Sequence, residues 1–146
     1  EVNVLKSIPV KDVMNPEPET VPENMILGRL AEKIARSKYN TFPVVDEEGK
    51  ISGILSLLDF HEVVYDEDLQ DLVVAKELST PDVVTVSLDD NLYTALDRIS
   101  AKDFSMLPVV SPDDPSKLVG ILTRRDIIGA YTKAVLKKSL IKEEER

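Results

Sequence analysis

Phe42-Pro43-Val44-Val45, followed by Ile51-Ser52-Gly53-Ile54-Leu55-Ser56-Leu57-Leu58-Asp59, decides the fold, because the chain repeats it. The second copy reads Leu107-Pro108-Val109-Val110, then Leu118-Val119-Gly120-Ile121-Leu122-Thr123-Arg124-Arg125-Asp126. Pro43 and Pro108 stand 65 residues apart and the two glycines 67, the difference being two extra residues in the loop 111–116. Upstream the offset of 65 also relates Lys11 to Lys76, Pro16 to Pro81, Thr20 to Thr85, Val21 to Val86 and Leu27 to Leu92. A match sustained over this length marks a duplicated unit.

Each copy carries the same local signals. A short extended segment, Glu19-Thr20-Val21 or Val83-Val84-Thr85-Val86, comes first. Asn24 and Asp89 are the candidate N-caps of the helix that follows. Leu27, Leu30, Ala31, Ile34 and Ala35 recur at helical spacing, and Leu92, Ala95, Leu96 and Ile99 repeat the stripe. Two Val/Ile-rich strands separated by a turn come next, and a helix opens near Asp59 and Asp126. The expectation is an α+β fold of two β-α-β-β-α repeats packed about a pseudo-twofold axis. One repeat of about 55 residues is marginal alone, whereas two can bury their sheets. The expected division is a linker at 1–9, repeats at 10–60 and 75–130, a connector at 61–74 and a helical tail at 131–146.

Composition removes several function classes. The net charge of −9 opposes nucleic acid as a partner, since phosphate binding needs a clustered basic surface. No apolar run reaches the roughly 18 residues that span a bilayer. Without cysteine there is no disulfide and no thiolate metal site. His61 is the only histidine, no phosphate-binding loop or GxGxxG is present, and no catalytic residues are assigned. The run Asp66-Glu67-Asp68 lacks calcium-loop spacing and reads as a solvated acidic segment, so no metal and no catalytic cofactor are expected. The start at Glu1 suggests a piece of a longer polypeptide or a processed product.

The Asp ending each copy stands where a helix begins, so backbone N–H groups and the helix dipole favour an anion there. A carboxylate in that position can accept both hydroxyls of a ribose, and the Ser or Thr three residues earlier can donate to phosphate. The ordinary alternative is that each Asp caps its own helix.

The double occurrence of (Phe/Leu)-Pro-Val-Val with Gly-x-x-(Ser/Thr)-x-x-Asp resembles a tandem pair of CBS domains, over about Val10 to Gly129. The resemblance implies a regulatory module that binds an adenosine-containing ligand, AMP, ADP or ATP. It implies that Asp126 and Asp59 grip ribose with Thr123 and Ser56 beside them. One expected cleft groups Thr20, Val21, Tyr39, Asn40, Phe42, Pro43, Thr123, Arg124, Arg125 and Asp126, with Tyr39 stacking on the base and the arginines at the phosphate. The second groups Thr85, Phe104, Ser105, Leu107, Pro108, Ser56 and Asp59, with Leu57 and Leu58 where the first has arginines. CBS pairs commonly form flat dimers, so a homodimer is expected, with Ile127, Ile128 and Tyr131 as contacts; a purely structural dimerisation module is the alternative. Leu5-Lys6-Ser7-Ile8 and Arg124 to Tyr131 resemble the cytoplasmic domain of CLC-type chloride channels and transporters. That implies attachment to a membrane domain, with the module at the cytoplasmic side of the cell membrane; a regulatory CBS pair of another host, such as a magnesium transporter, an inosine monophosphate dehydrogenase or a free-standing protein, is the other alternative.

Overall fold

The computed structural model describes residues 2–61, 63–102 and 104–144. Along the chain run α1 (Val2–Lys6), β1 (Val21–Pro22), α2 (Leu27–Arg36), β2 (Thr41–Val45), β3 (Ile51–Ser56), α3 (Leu57–Phe60), α4 (Ala75–Leu78), β4 (Val86–Ser87), α5 (Leu92–Lys102), β5 (Met106–Val110), β6 (Leu118–Thr123) and α6 (Arg124–Glu144). This is the expected α+β class, with β-α-β-β-α running twice, β1 to α3 and β4 to α6. Among the described residues no helix is long and apolar enough to cross a membrane.

The chain divides into two compact units. The first holds Pro18–Val83 with Ser116–Leu118; the second holds Glu1–Glu17, Val84–Pro115 and Val119–Arg146. In the first, β2 is the middle strand, parallel to β1 with Val21 beside Val44 and antiparallel to β3 with Phe42 beside Leu55. The helical stripe of α2 buries Leu27, Leu30 and Ile34 in one core with Val21, Phe42, Val44 and Leu55. In the second, β5 is the middle strand, with Val86 of β4 beside Val109. Leu92, Ala95 and Ile99 of α5 join Leu107, Leu122 and Ile127 in its core. The turn after β2 closes as its composition implies. Asp46 Oδ1 accepts from the amides of Glu48 and Lys50, and Gly49 takes the positive φ of 79° that a side chain resists.

Neither expected N-cap performs that job. α2 is preceded by Ile26, and its first amides, Leu27 and Gly28, donate to the carbonyls of Val73 (2.8 Å) and Gln70 (3.1 Å). In α5 the Leu92 amide donates to the Ile8 carbonyl (2.9 Å) and the Thr94 amide to Asn91 Oδ1 (2.9 Å). Backbone from elsewhere in each unit satisfies N–H groups that a side chain two positions earlier would otherwise have to reach. The stretch expected as a linker and the connector thus play one structural part, since Pro9 bridges Asn91 as Val74 bridges Ile26. The helix α1 in that stretch buries Val4 and Leu5, and it touches α5 and α6. Asn91→Ala is therefore expected to lower stability by about 1 kcal/mol in a urea titration, while Asn24→Ala, at an exposed residue ahead of the helix, leaves the midpoint unchanged.

The segments ahead of the two strands β1 and β4 are exchanged. Asn15 forms a two-bond bridge with Ile121 (2.8 and 3.0 Å), so a piece of the first repeat lies in the unit of the second. Thr80 does the same with Ile54 (2.8 and 2.9 Å), within the first unit. This explains the glycine in each copy of the motif. A Cβ on Gly120 would stand 2.7 Å from the Asn15 carbonyl oxygen and 2.8 Å from Met14 Sδ. On Gly53 it would meet Ser79 Cβ at 2.9 Å and the Thr80 carbonyl at 3.1 Å. Both glycines let the visiting backbone approach.

Candidate functional site

In the second unit, β6 ends at Thr123 and α6 begins at Arg124. The Thr123 amide donates to Asp126 Oδ2 (2.9 Å), and the Asp126 amide donates to Thr123 Oγ1 (3.0 Å). This reciprocal pair caps the helix and holds the carboxylate at its start. It also sets the chemistry left over. Thr123 Oγ1 accepts the amide hydrogen, so its own proton remains available to an acceptor, and Asp126 Oδ1 remains available to a donor.

In the first unit, Asp59 Oδ2 accepts from both the amide (3.0 Å) and the hydroxyl (3.2 Å) of Ser56. The hydroxyl proton that Thr123 keeps is therefore occupied at Ser56. The carboxylates differ in exposure too, Asp126 being half-buried and Asp59 exposed. The ordinary reading, that each Asp caps its helix, holds in both units; a ligand would use the remaining carboxylate oxygen.

The loops ahead of the central strands meet these helix starts. In the second unit the Arg124 amide donates to the Ser105 carbonyl (3.0 Å) and Arg124 Nη2 to the Phe104 carbonyl (3.0 Å). In the first the Leu57 amide donates to the Asn40 carbonyl (2.8 Å). Ser105 thus neighbours Thr123 and Asp126, and Asn40 neighbours Ser56 and Asp59. Arg124, expected at phosphate, has its guanidinium on a backbone carbonyl, whereas Arg125 is exposed. Leu57 and Leu58 are exposed in the first unit, Leu58 by 83%.

Burial sorts the other expected contacts. Phe42, Leu107 and Val21 are fully buried, and Pro43 and Pro108 are buried too, so these side chains fill cores and offer a ligand their backbone at most. Successive strand residues point to opposite faces, so β2 and β5, with consecutive residues buried, are covered on both faces. Tyr39 is half-buried on the first core, with Lys38 Nζ 5.3 Å from its ring centroid and its amide on Ser37 Oγ. Thr20 and Thr85 are half-buried. Ile127 is buried and Tyr131 is packed on the second core, so of the three expected dimer contacts only Ile128 is exposed.

Two positioning residues escaped the sequence reading. Arg98 Nη1 donates to the Thr85 carbonyl (2.6 Å) and lies 3.6 Å from Asp90, which fixes the lead into β4. The Ser37 hydroxyl donates to Glu19 (2.5 Å), which fixes the lead into β1. Both contacts join residues 13 or more apart, and neither follows a helical or strand period that sequence could display.

The sequence profile of the CBS domain matches residues 10–66 and again 75–133. The chain is 34% identical over 127 residues to the uncharacterized protein MJ1232 of Methanocaldococcus jannaschii, covering 87% of this chain and 40% of that protein. Of several other curated relatives the chain spans only 22–25% of the length. Two solved structures superpose closely. One is CBSX2 in complex with AMP (TM-score 0.74, 29% identity, 86% of this chain and 97% of that one). The other is the CBS domain pair of protein MJ0100 in complex with 5′-methylthioadenosine and S-adenosyl-L-methionine (TM-score 0.71, 28% identity, 86% and 96%). With the profile matched once per repeat and the same architecture in solved pairs, the chain belongs to the CBS domain family, as a tandem pair.

Proposed function

We propose that the chain is a regulatory module that binds an adenosine-containing ligand through Asp126 and Thr123 and controls an attached or associated protein. The observation that carries this reading is the division of labour at the start of α6. The capping pair uses one carboxylate oxygen and the Thr123 lone pair, leaving Asp126 Oδ1 for a ribose hydroxyl and the Thr123 proton for a phosphate oxygen. Arg125 is the exposed cation beside them. AMP and S-adenosyl-L-methionine in the related pairs support the ligand class.

A route from ligand to partner is available inside the second unit. Asp126 opens α6, α6 contacts α1, and Leu5 of α1 shares the core with Ile127. A ligand that stiffens the start of α6 is thereby coupled to the residues ahead of Val10. A CLC-type channel or transporter is the host we infer from Leu5 to Ile8 and Arg124 to Tyr131, and a homodimer is the proposed assembly.

The test is a thermal-shift panel of AMP, ADP, ATP and S-adenosyl-L-methionine on the intact chain. A ligand at a hundredfold excess over its Kd adds about 2.7 kcal/mol, or several degrees for a chain of this size. Asp126→Ala and Thr123→Val should remove the rise and Asp59→Ala should retain it. Loss with Asp59→Ala alone moves the ligand to the first unit's helix start. No shift with any of the four favours the structural dimerisation module, for which the exposed Ile128, Leu136, Leu140 and Ile141 of α6 are the apolar surface.

A further inference from the structure

The first unit carries an open groove of about 490 Å3 beside α2, lined by Glu19, Met25, Arg29, Glu32, Lys33, Arg36 and Ser37. None of Asp59, Ser56, Thr123 or Asp126 borders it. Arg29, Lys33 and Arg36 recur at i, i+4 and i+7, so they share one face of the helix, away from the buried Leu27, Leu30 and Ile34. Among the described residues the ion pairs are Lys11–Asp89, Lys50–Glu48, Lys76–Glu23 and Arg98–Asp90, and none uses these three cations. One of the two acids at the groove, Glu19, accepts from the Ser37 hydroxyl.

Like charges one turn apart destabilise a helix. Glu32 stands three residues after Arg29 and four before Arg36, at pairing spacing, yet among the described residues it forms no ion pair with them, and three cations face two acids around the concavity. Seven residues of helix extend about 10 Å, enough for two phosphate groups each held between neighbouring cations. Guanidinium forks suit phosphate oxygens in pairs, and the volume falls in the range of small-molecule sites.

We propose that this groove binds a small anion bearing two or more phosphate groups, separately from the adenosine ligand. The inference stands apart from the proposed function, because its residues belong to neither Asp-bearing helix start. It is tested by calorimetric titration of the intact chain with inorganic pyrophosphate and, separately, with AMP. Arg29→Gln with Arg36→Gln should weaken pyrophosphate by about tenfold or more, the loss expected for charge-assisted hydrogen bonds. Lys33→Gln should weaken it less, and Glu32→Gln should tighten it by removing a repulsive charge. Asp126→Asn and Asp59→Asn should leave pyrophosphate unchanged whatever they do to AMP. Added salt should weaken it steadily. The sites changed are on the groove surface, and an unaltered circular dichroism melt confirms folding. The proposal fails if wild type does not bind pyrophosphate at millimolar concentration, if the double arginine variant keeps the wild-type Kd, or if Asp126→Asn abolishes the binding. An acidic peptide that binds where pyrophosphate does not also overturns it.

Discussion

Gly120→Val is expected to destabilise the protein by roughly 3 kcal/mol or more, the upper end of the overpacking range. The reason is backbone, not side chain. The first added carbon would lie 2.7 Å from the Asn15 carbonyl oxygen, and that carbonyl is held by the Ile121 amide (3.0 Å) while the Asn15 amide holds the Ile121 carbonyl (2.8 Å). Relief requires Met14–Asn15 to move away and break both bonds. Gly120→Ala should cost about 1–3 kcal/mol by the same contact, and Gly53→Ala should follow in the first unit, against Ser79 and Thr80. Gly129 supplies the control of opposite sign. It lies within α6 with nothing near its missing Cβ, so Gly129→Ala should stabilise by about 0.5–1 kcal/mol. Urea midpoints with their m-values decide the matter. If Gly120→Ala is as harmless as Gly129→Ala, the visiting segment does not approach as described.

Phe42→Ala should cost about 3–5 kcal/mol, the range for removing a large aromatic from a core. Phe42 is fully buried, pairs across the sheet with Leu55 and shares its cluster with Leu27 and Leu30. Its neighbours lie on a strand and a helix fixed by backbone bonds, so the space left cannot collapse cheaply. At 2–4 °C per kcal/mol for a chain near this length, the melting temperature should fall by about 6–20 °C. A loss below 1 kcal/mol would place Phe42 at a ligand surface, as the sequence reading had it, instead of in the core. Tyr39→Ala is the comparison. Its ring is only half-buried, so the loss without ligand should be clearly smaller.

Periodicity and duplication made the β-α-β-β-α order readable, because the core-facing residues of α2 and α5 recur at helical spacing and the strands are Val- and Ile-rich runs closed by turns. The Asp residues that end each motif were readable as helix starts for the same local reason. The backbone partners of the first α2 and α5 amides were not readable. Val73, Gln70 and Ile8 act through their carbonyls, which every residue owns, so no residue type announces them.

The candidate site divides along the same line. Ser56 and Asp59 stand three residues apart, as do Thr123 and Asp126, so the placement of each pair within one turn followed from sequence alone. That Ser56 spends its hydroxyl proton on Asp59 while Thr123 keeps its own depends on rotamers set by the fold. The removal of Arg124 to the Phe104 carbonyl and the hold of Arg98 on Thr85 join residues 20 and 13 apart. The motif glycines are the clearest case. Sequence marked Gly53 and Gly120 as equivalent, because duplication preserves spacing. Only the tertiary structure supplied the reason: each strand is crossed by backbone from the other repeat, a contact at long sequence separation that leaves no mark except the missing side chain.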